Sequence, residues 1–121
     1  MAEKTVLLVD DDEHIDKMIA CLFELKGIHM EVAKSGEEGL ETLKRLKPAA
    51  IILDLMMPGM DGFEFCRQLK GKPETKDIPI IILSAYPTEE NKERAMSLGA
   101  SHFIEKPFRN NDLLNKTIAL L

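Results

Sequence analysis

Asp54 closes a short apolar run, Ile51-Ile52-Leu53, and leads into Leu55-Met56-Met57-Pro58-Gly59-Met60-Asp61-Gly62. A run this short, with two β-branched residues, predicts a strand buried on both faces. That places Asp54 at the carboxyl end of a central strand, where open α/β sheets bind ligands. By itself such an Asp is a helix cap, a metal ligand or a nucleophile. Three other runs end in residues that narrow the choice. Thr5-Val6-Leu7-Leu8-Val9 passes into Asp10-Asp11-Asp12-Glu13, Ile80-Ile81-Ile82-Leu83 into Ser84, and His102-Phe103-Ile104-Glu105 into Lys106. In a parallel sheet all four ends lie on one side.

Clustered carboxylates repel one another unless a cation is present. Carboxylate oxygens without His or Cys suit a hard cation, and Mg²⁺ fits best because it keeps waters and needs few protein oxygens. A lysine adds a second positive charge and a serine adds a hydroxyl donor. Cation, ammonium and hydroxyl together are what offset charge on the equatorial oxygens of a phosphoryl group. With Asp54 as attacking carboxylate, the product is an acyl phosphate. Each residue also has an ordinary explanation. One of Asp10, Asp11 and Asp12 caps a helix, Glu13 is a favourable charge in its first turn, Ser84 is a turn residue and Lys106 is solvated. Their joint placement at four strand ends shifts the balance toward phosphoryl chemistry.

The elements that must position these residues alternate along the chain. Ile15, Met18, Ile19 and Leu22 mark an amphipathic first helix, capped by Asp12 or Asp11 and stopped at Gly27. Residues 28–33 form the second strand. Ser35, with Glu38 three residues on, opens a second helix as a capping box; Leu40, Leu43 and Leu46 line its inner face and Pro48 ends it. Residues 49–53 are the third strand. A third helix runs from about Asp61 to Lys70, burying some of Phe63, Phe65, Cys66 and Leu69. Residues 78–83 give the fourth strand, with Pro79 near its start because it cannot donate to a ladder. Thr88 caps a fourth helix that stops at Gly99. Residues 102–105 are the fifth strand, and Leu113, Leu114, Thr117, Ile118 and Leu121 face inward on the last helix. Five βα units in one domain predict an α/β fold, a doubly wound parallel sheet with right-handed crossovers.

The 121 residues have room for one core. Hydrophobic residues at 45% and charged residues at 31% match an ordinary globular protein. A net charge of −5 argues against nucleic acid as a direct partner, and one Tyr with no Trp argues against a base-stacking surface. No apolar run is long enough to cross a membrane, and Met1-Ala2-Glu3-Lys4 is no secretory leader, so the expected location is cytoplasmic. Cys21 and Cys66 fall on apolar-periodic helix positions and are expected to be buried thiols. His14 is expected to be exposed, His29 and His102 to sit away from the acidic edge, and Met56, Met57 and Met60 to pack the loop.

Val9-Asp10-Asp11-Asp12, Leu53-Asp54-Leu55-Met56-Met57-Pro58-Gly59-Met60-Asp61-Gly62, Ser84-Ala85 and Phe103-Ile104-Glu105-Lys106-Pro107-Phe108 together resemble the receiver domain of two-component response regulators. The likeness spans essentially the whole chain. It implies a flavodoxin-like (βα)5 fold with strand order 2-1-3-4-5. By the same resemblance Asp54 is the phospho-acceptor, Asp11 a direct Mg²⁺ ligand, Asp10 an acid acting mainly through water, and the Met56 backbone carbonyl a further ligand. Lys106 contacts the phosphoryl group and precedes a cis proline. Ser84 is the switch hydroxyl, and Phe103 stands at the aromatic switch position, where many members have Tyr. Met56 and Tyr86 flank the phosphoryl group. The implied partners are a sensor histidine kinase or phosphotransfer protein, at the first helix and the loops around Asp54, and a downstream protein target at the helix 4–strand 5–helix 5 face. The chain would not be an enzyme beyond its own phosphorylation and dephosphorylation.

Two other readings fit less well. A phosphohydrolase of the haloacid-dehalogenase type would need Thr or Val where His14 stands, paired acids after the lysine-bearing strand, and a cap domain. A pseudo-receiver would have lost Asp11, Asp54, Ser84 or Lys106, and all four are present. The initiating Met and compact ends are expected for a complete chain.

Overall fold

The computed structural model describes residues 4–57 and 59–121; Met1–Glu3 and Pro58 lie outside the described residues. The chain alternates strand and helix: β1 (Lys4–Val9), α1 (Glu13–Glu24), β2 (Ile28–Ala33), α2 (Gly36–Leu43), β3 (Ala50–Asp54), α3 (Gly62–Lys70), β4 (Ile80–Ser84), α4 (Glu89–Ser97), β5 (His102–Glu105) and α5 (Asn110–Ile118). The five strands are parallel in the order β2-β1-β3-β4-β5, the flavodoxin-like arrangement expected.

Alternation along each strand divides the interior into two layers. Leu7, Val9, Ile51, Leu53, Ile80 and Ile82 face α2, α3 and α4, where Phe65, Cys66, Leu69 and Ala95 meet them. Val6, Leu8, Ile52, Ile81, Leu83 and Ile104 face α1 and α5, meeting Ile19, Phe23, Leu113 and Leu114. The central strands β3 and β4 are buried at every residue, which is why they read as unbroken apolar runs.

Helix ends follow local chemistry. Asp12, Ser35, Asp61 and Thr88 each accept backbone N–H bonds as N-caps. Gly27 and Gly99, expected as stops, both have positive φ (76° and 97°).

Several expectations need correction. Met18 is 43% exposed, and the buried stripe of α1 is instead Asp16, Ile19 and Phe23. Ile118 is 42% exposed, on the outer face of α5. Cys21 is exposed, whereas Cys66 is buried and its thiol is pushed up to about 11 by burial. Helix α2 ends at Leu43, before Pro48, and its buried positions are Gly36, Gly39 and Thr42, with Leu40 and Leu43 only partly covered. A small-residue face lets α2 approach closely: a Cβ on Gly39 would lie 2.9 Å from the Phe65 ring. Among the described residues, no helix is long and apolar enough to cross a membrane.

Candidate functional site

Strand phase brings the acidic and basic groups together. Asp10 follows Leu8 by two residues, Asp54 follows Ile52, and Lys106 follows Ile104, so all three continue the rows that face α1 and α5. Ser84 follows Ile82, and Phe103 is the register partner of Ile82, which puts both on the opposite layer. The sheet holds these ends firmly. Asp10 N–H donates to Ala33 O at 3.0 Å, Leu55 N–H to Leu83 O at 3.2 Å, and Lys106 N–H to Ser84 O at 2.8 Å.

One carboxylate oxygen from each of Asp10, Asp11 and Asp54 lies within 4.8 Å of the other two. Asp54 is buried; its Oδ1 accepts the Met56 N–H at 3.1 Å and its Oδ2 lies 3.3 Å from Lys106 Nζ. The Asp10 side chain is fully buried, and its Oδ1 accepts the Asp12 N–H at 2.8 Å. Among the described residues its Oδ2 accepts no hydrogen bond, the nearest cation being Lys106 Nζ at 3.7 Å. Burial raises the Asp10 carboxyl, opposed by the Asp12 N–H and Lys106 and reinforced by Asp54 and Asp11. Asp12 is turned away as the cap of α1, its Oδ1 accepting from His14 N–H at 3.0 Å and Ile15 N–H at 3.3 Å. Asp11 is exposed, leaving its carboxylate open to water.

This donor set fits a small hard cation. Among the described residues three carboxylates converge with Lys106 beside them, and a buried Asp10 oxygen lacks a partner. Oxygens around Mg²⁺ at 2.0–2.1 Å are at most about 4.2 Å apart, so closing the cluster needs only a small contraction. No His or Cys is in the cluster, which disfavours softer metals.

The loop after Asp54 is drawn back onto the strand. Gly62 N–H donates to Leu55 O at 2.9 Å, and a Cβ on Gly62 would sit 2.7 Å from Leu55 Cα and 2.9 Å from Asp54 O. Glycine at this position is therefore a condition of the loop's closure. Glu37 of α2 adds a tether, accepting Met60 N–H at 3.3 Å. Met57 is buried and Met60 packs against the core, as expected of loop packing, but Met56 is exposed. Met56 and Tyr86 wall a recess of about 650 Å³ beside the site, floored by Phe63, over which Arg94 stacks at 4.1 Å.

Ser84 is fully buried and its Oγ accepts the Tyr86 N–H at 2.9 Å. Phe103 is half-buried against the α2–α4 layer. The Lys106–Pro107 bond is cis. His14 is exposed, and His29 and His102 lie at strand starts on the far edge; His29 bridges Glu24 and Glu31 at 3.1 Å each.

Sequence reasoning missed Asp16. It is 3% exposed, on α1 near Asp10 and Lys34, and neither of its carboxylate oxygens has a partner among the described residues. Burial, with Asp10 the next cause, pushes its carboxyl up to about 7. The signal was its spacing from Ile19 and Phe23, three and seven residues on, which the apolar stripe through Met18 obscured.

A family model described as the response regulator receiver domain matches residues 6–118. The phosphate regulon transcriptional regulatory protein PhoB of Pseudomonas aeruginosa is 39% identical over 121 residues, covering 100% of this chain and 53% of PhoB. The chain spans about half the length of the curated relatives it matches. Among solved structures, Vibrio cholerae chemotaxis protein CheY4 superposes with a TM-score of 0.93 at 32% identity, covering 99% of this chain and 100% of that one. The signal receiver domain of a signal transduction histidine kinase from Syntrophus aciditrophicus gives a TM-score of 0.90 at 32% identity, covering 99% and 90%.

Proposed function

We propose that this chain, which belongs to the response regulator receiver domain family, works as a phospho-accepting switch with Asp54 as the acceptor. A receiver domain is a signalling domain and not a classical enzyme. In this reading residues 1–121 form one such domain. The observation that carries it is the meeting of Asp54 with Asp10, Asp11 and Lys106 at the carboxyl edge of the sheet.

An Asp54 carboxylate oxygen attacks the phosphorus of a phosphohistidine on a sensor histidine kinase or phosphotransfer protein. The P–N bond breaks, its electron pair returns to the imidazole nitrogen, and an acyl phosphate remains on Asp54. Asp10, Asp11, Asp54 and the Met56 backbone carbonyl would hold Mg²⁺, which when bound supplies positive charge against the phosphoryl oxygens. Lys106, already 3.3 Å from Asp54, supplies a second positive charge from the protein itself. Water attack on phosphorus later breaks the P–O bond, restoring the carboxylate and releasing inorganic phosphate; this self-dephosphorylation belongs to the proposal.

The positions of Ser84 and Phe103 support this reading of the switch. Ser84 Oγ accepts from Tyr86 but its own proton is free to donate, so phosphate on Asp54 draws it inward. Phe103, on the same layer, fills the space vacated, and the α4–β5–α5 face changes for a downstream protein target. Phe103 has no hydroxyl, so its inward state rests on packing alone. No step calls for nucleic acid or membrane at this domain, and the cytoplasm is its expected location.

The test is intact mass after incubation with acetyl phosphate, with and without Mg²⁺, for the parent chain and Asp54→Asn. A Mg²⁺-dependent gain of one phosphate, absent in the variant, is expected. A folded, Mg²⁺-binding protein that gains nothing would overturn the switch and leave a binding module of the same fold.

A further inference from the structure

Charge is unevenly spread over this acidic chain. Residues 44–47 and 67–77 carry seven of its 16 Lys and Arg but only two of its 21 Asp and Glu. The fold brings these segments together at the end of α2 and in the loop before β4, at the sheet edge opposite Asp54. Among the described residues, Arg45, Lys47 and Lys72 are exposed and make no ion pair, while Lys44 pairs with Glu41 at 2.9 Å.

Between these cations runs an apolar trough. Three recesses of about 290, 270 and 250 Å³ lie in a row, with Leu40, Leu43, Leu46, Leu69 and Ile78 contributing their walls. The first and second share Leu43, and the second and third share Lys47 and Ile78, while Glu74 touches all three. Each is smaller than the roughly 300–1,000 Å³ that a drug-sized ligand fills. A row of small apolar recesses instead suits successive side chains of one segment, as when an amphipathic helix places anchors three to four residues apart.

We infer that this trough docks an acidic amphipathic helix of a partner protein, its apolar face on the leucines and its carboxylates against Arg45, Lys47 and Lys72. Charge complementarity selects the occupant: Lys44, Arg45, Lys47 and Lys72 line the recesses against the two acids Glu74 and Asp77, so the trough attracts acids and repels basic segments although the chain as a whole carries −5. The recessed position of the leucines disfavours a membrane, since none of the large exposed hydrophobic residues, such as Leu25, Tyr86 or Met96, lies here to insert. Among the described residues no aromatic side chain lines the trough, so nucleic-acid bases find nothing to stack on. The site is remote from Asp54 and stands whether or not Asp54 accepts phosphate.

The probe is a fluorescein-labelled synthetic helix of about 18 residues with Leu on one face and Glu on the other. Its controls are a scrambled peptide and one with Lys in place of Glu. The expected result is saturable binding, with amide shifts confined to the end of α2 and residues 69–78. The triple reversal Arg45→Glu, Lys47→Glu, Lys72→Glu should weaken it by about ten-fold or more, and Glu74→Gln should tighten it several-fold. Equal binding of the controls, shifts centred on α1 or on α4–β5–α5, or no response to Glu74→Gln would overturn the inference. So would peptide indifference alongside capture by phosphatidylglycerol vesicles or a DNA duplex that the triple reversal abolishes.

Discussion

The Lys106 ammonium lies 3.3 Å from Asp54 Oδ2, a contact between residues 52 apart in sequence, and 3.7 Å from Asp10 Oδ2. With its side chain only 16% exposed, it offsets the repulsion of the acids around it. In EDTA, Lys106→Met should therefore cost about 1–3 kcal/mol in urea unfolding, because buried carboxylate charge loses its partner. In an Asp54→Asn background the same change should cost less, by a coupling of about 0.5–3 kcal/mol. Strictly additive losses would show that the contact carries no energy.

Mg²⁺ should stabilise the folded chain by mass action, about 2.7 kcal/mol when its concentration is 100-fold above its dissociation constant. Asp11→Asn removes the most accessible of the three clustered oxygens and should abolish most of that gain while leaving stability in EDTA nearly unchanged. The check is the urea midpoint of both proteins with and without Mg²⁺. Equal stabilisation of the variant would place the ion elsewhere.

Sequence was a sufficient guide wherever one physical constraint dominated. Ile51 to Leu53 and Ile80 to Leu83 are buried on both faces, so their apolar runs name the strands and the residues that end them. Asp12, Ser35, Asp61 and Thr88 are legible because a cap needs a short acceptor side chain. Legibility failed where partners come from distant segments. Asp16 is in phase with Ile19 and Phe23, but an acid does not read as a buried position, and Met18, two residues on, offers a competing apolar stripe. The convergence of Asp10, Asp54 and Lys106 was readable as strand ends, but the Met56 N–H bond to Asp54 depends on a loop course set by Gly62 and Glu37.

Gly62 tests that loop directly. Its added Cβ would meet backbone atoms of Leu55 and Asp54 inside 3.0 Å, where nothing can yield without moving the strand end. Gly62→Ala should destabilise by about 1–3 kcal/mol and slow phosphate uptake from acetyl phosphate. Gly71→Ala is the control, since its nearest contact would be 3.5 Å, and it should stay within about 0.5 kcal/mol of the parent. Similar losses at both positions would mean that glycine acts here only through helix-end flexibility.

Asp16 makes a prediction about pH whose sign is opposite to that of a salt-bridged acid. Its folded-state carboxyl is raised from 3.8 to about 7, chiefly by burial and then by Asp10, with Lys34 pulling the other way and Asp12 and Asp11 adding to the rise. Between those values the unfolded chain has released the proton and the folded chain still holds it, so stability falls as pH climbs. The loss is complete above about pH 7 and amounts to at most about 4 kcal/mol. Asp16→Leu removes the ionisable group from a position flanked by Ile19 and Phe23 on the inner face of α1. In EDTA the variant should be more stable than the parent by a few kcal/mol at about pH 8, with the advantage shrinking toward about pH 4. Urea unfolding across that range provides the measurement. A difference that does not change with pH would show that Asp16 titrates normally in the folded protein.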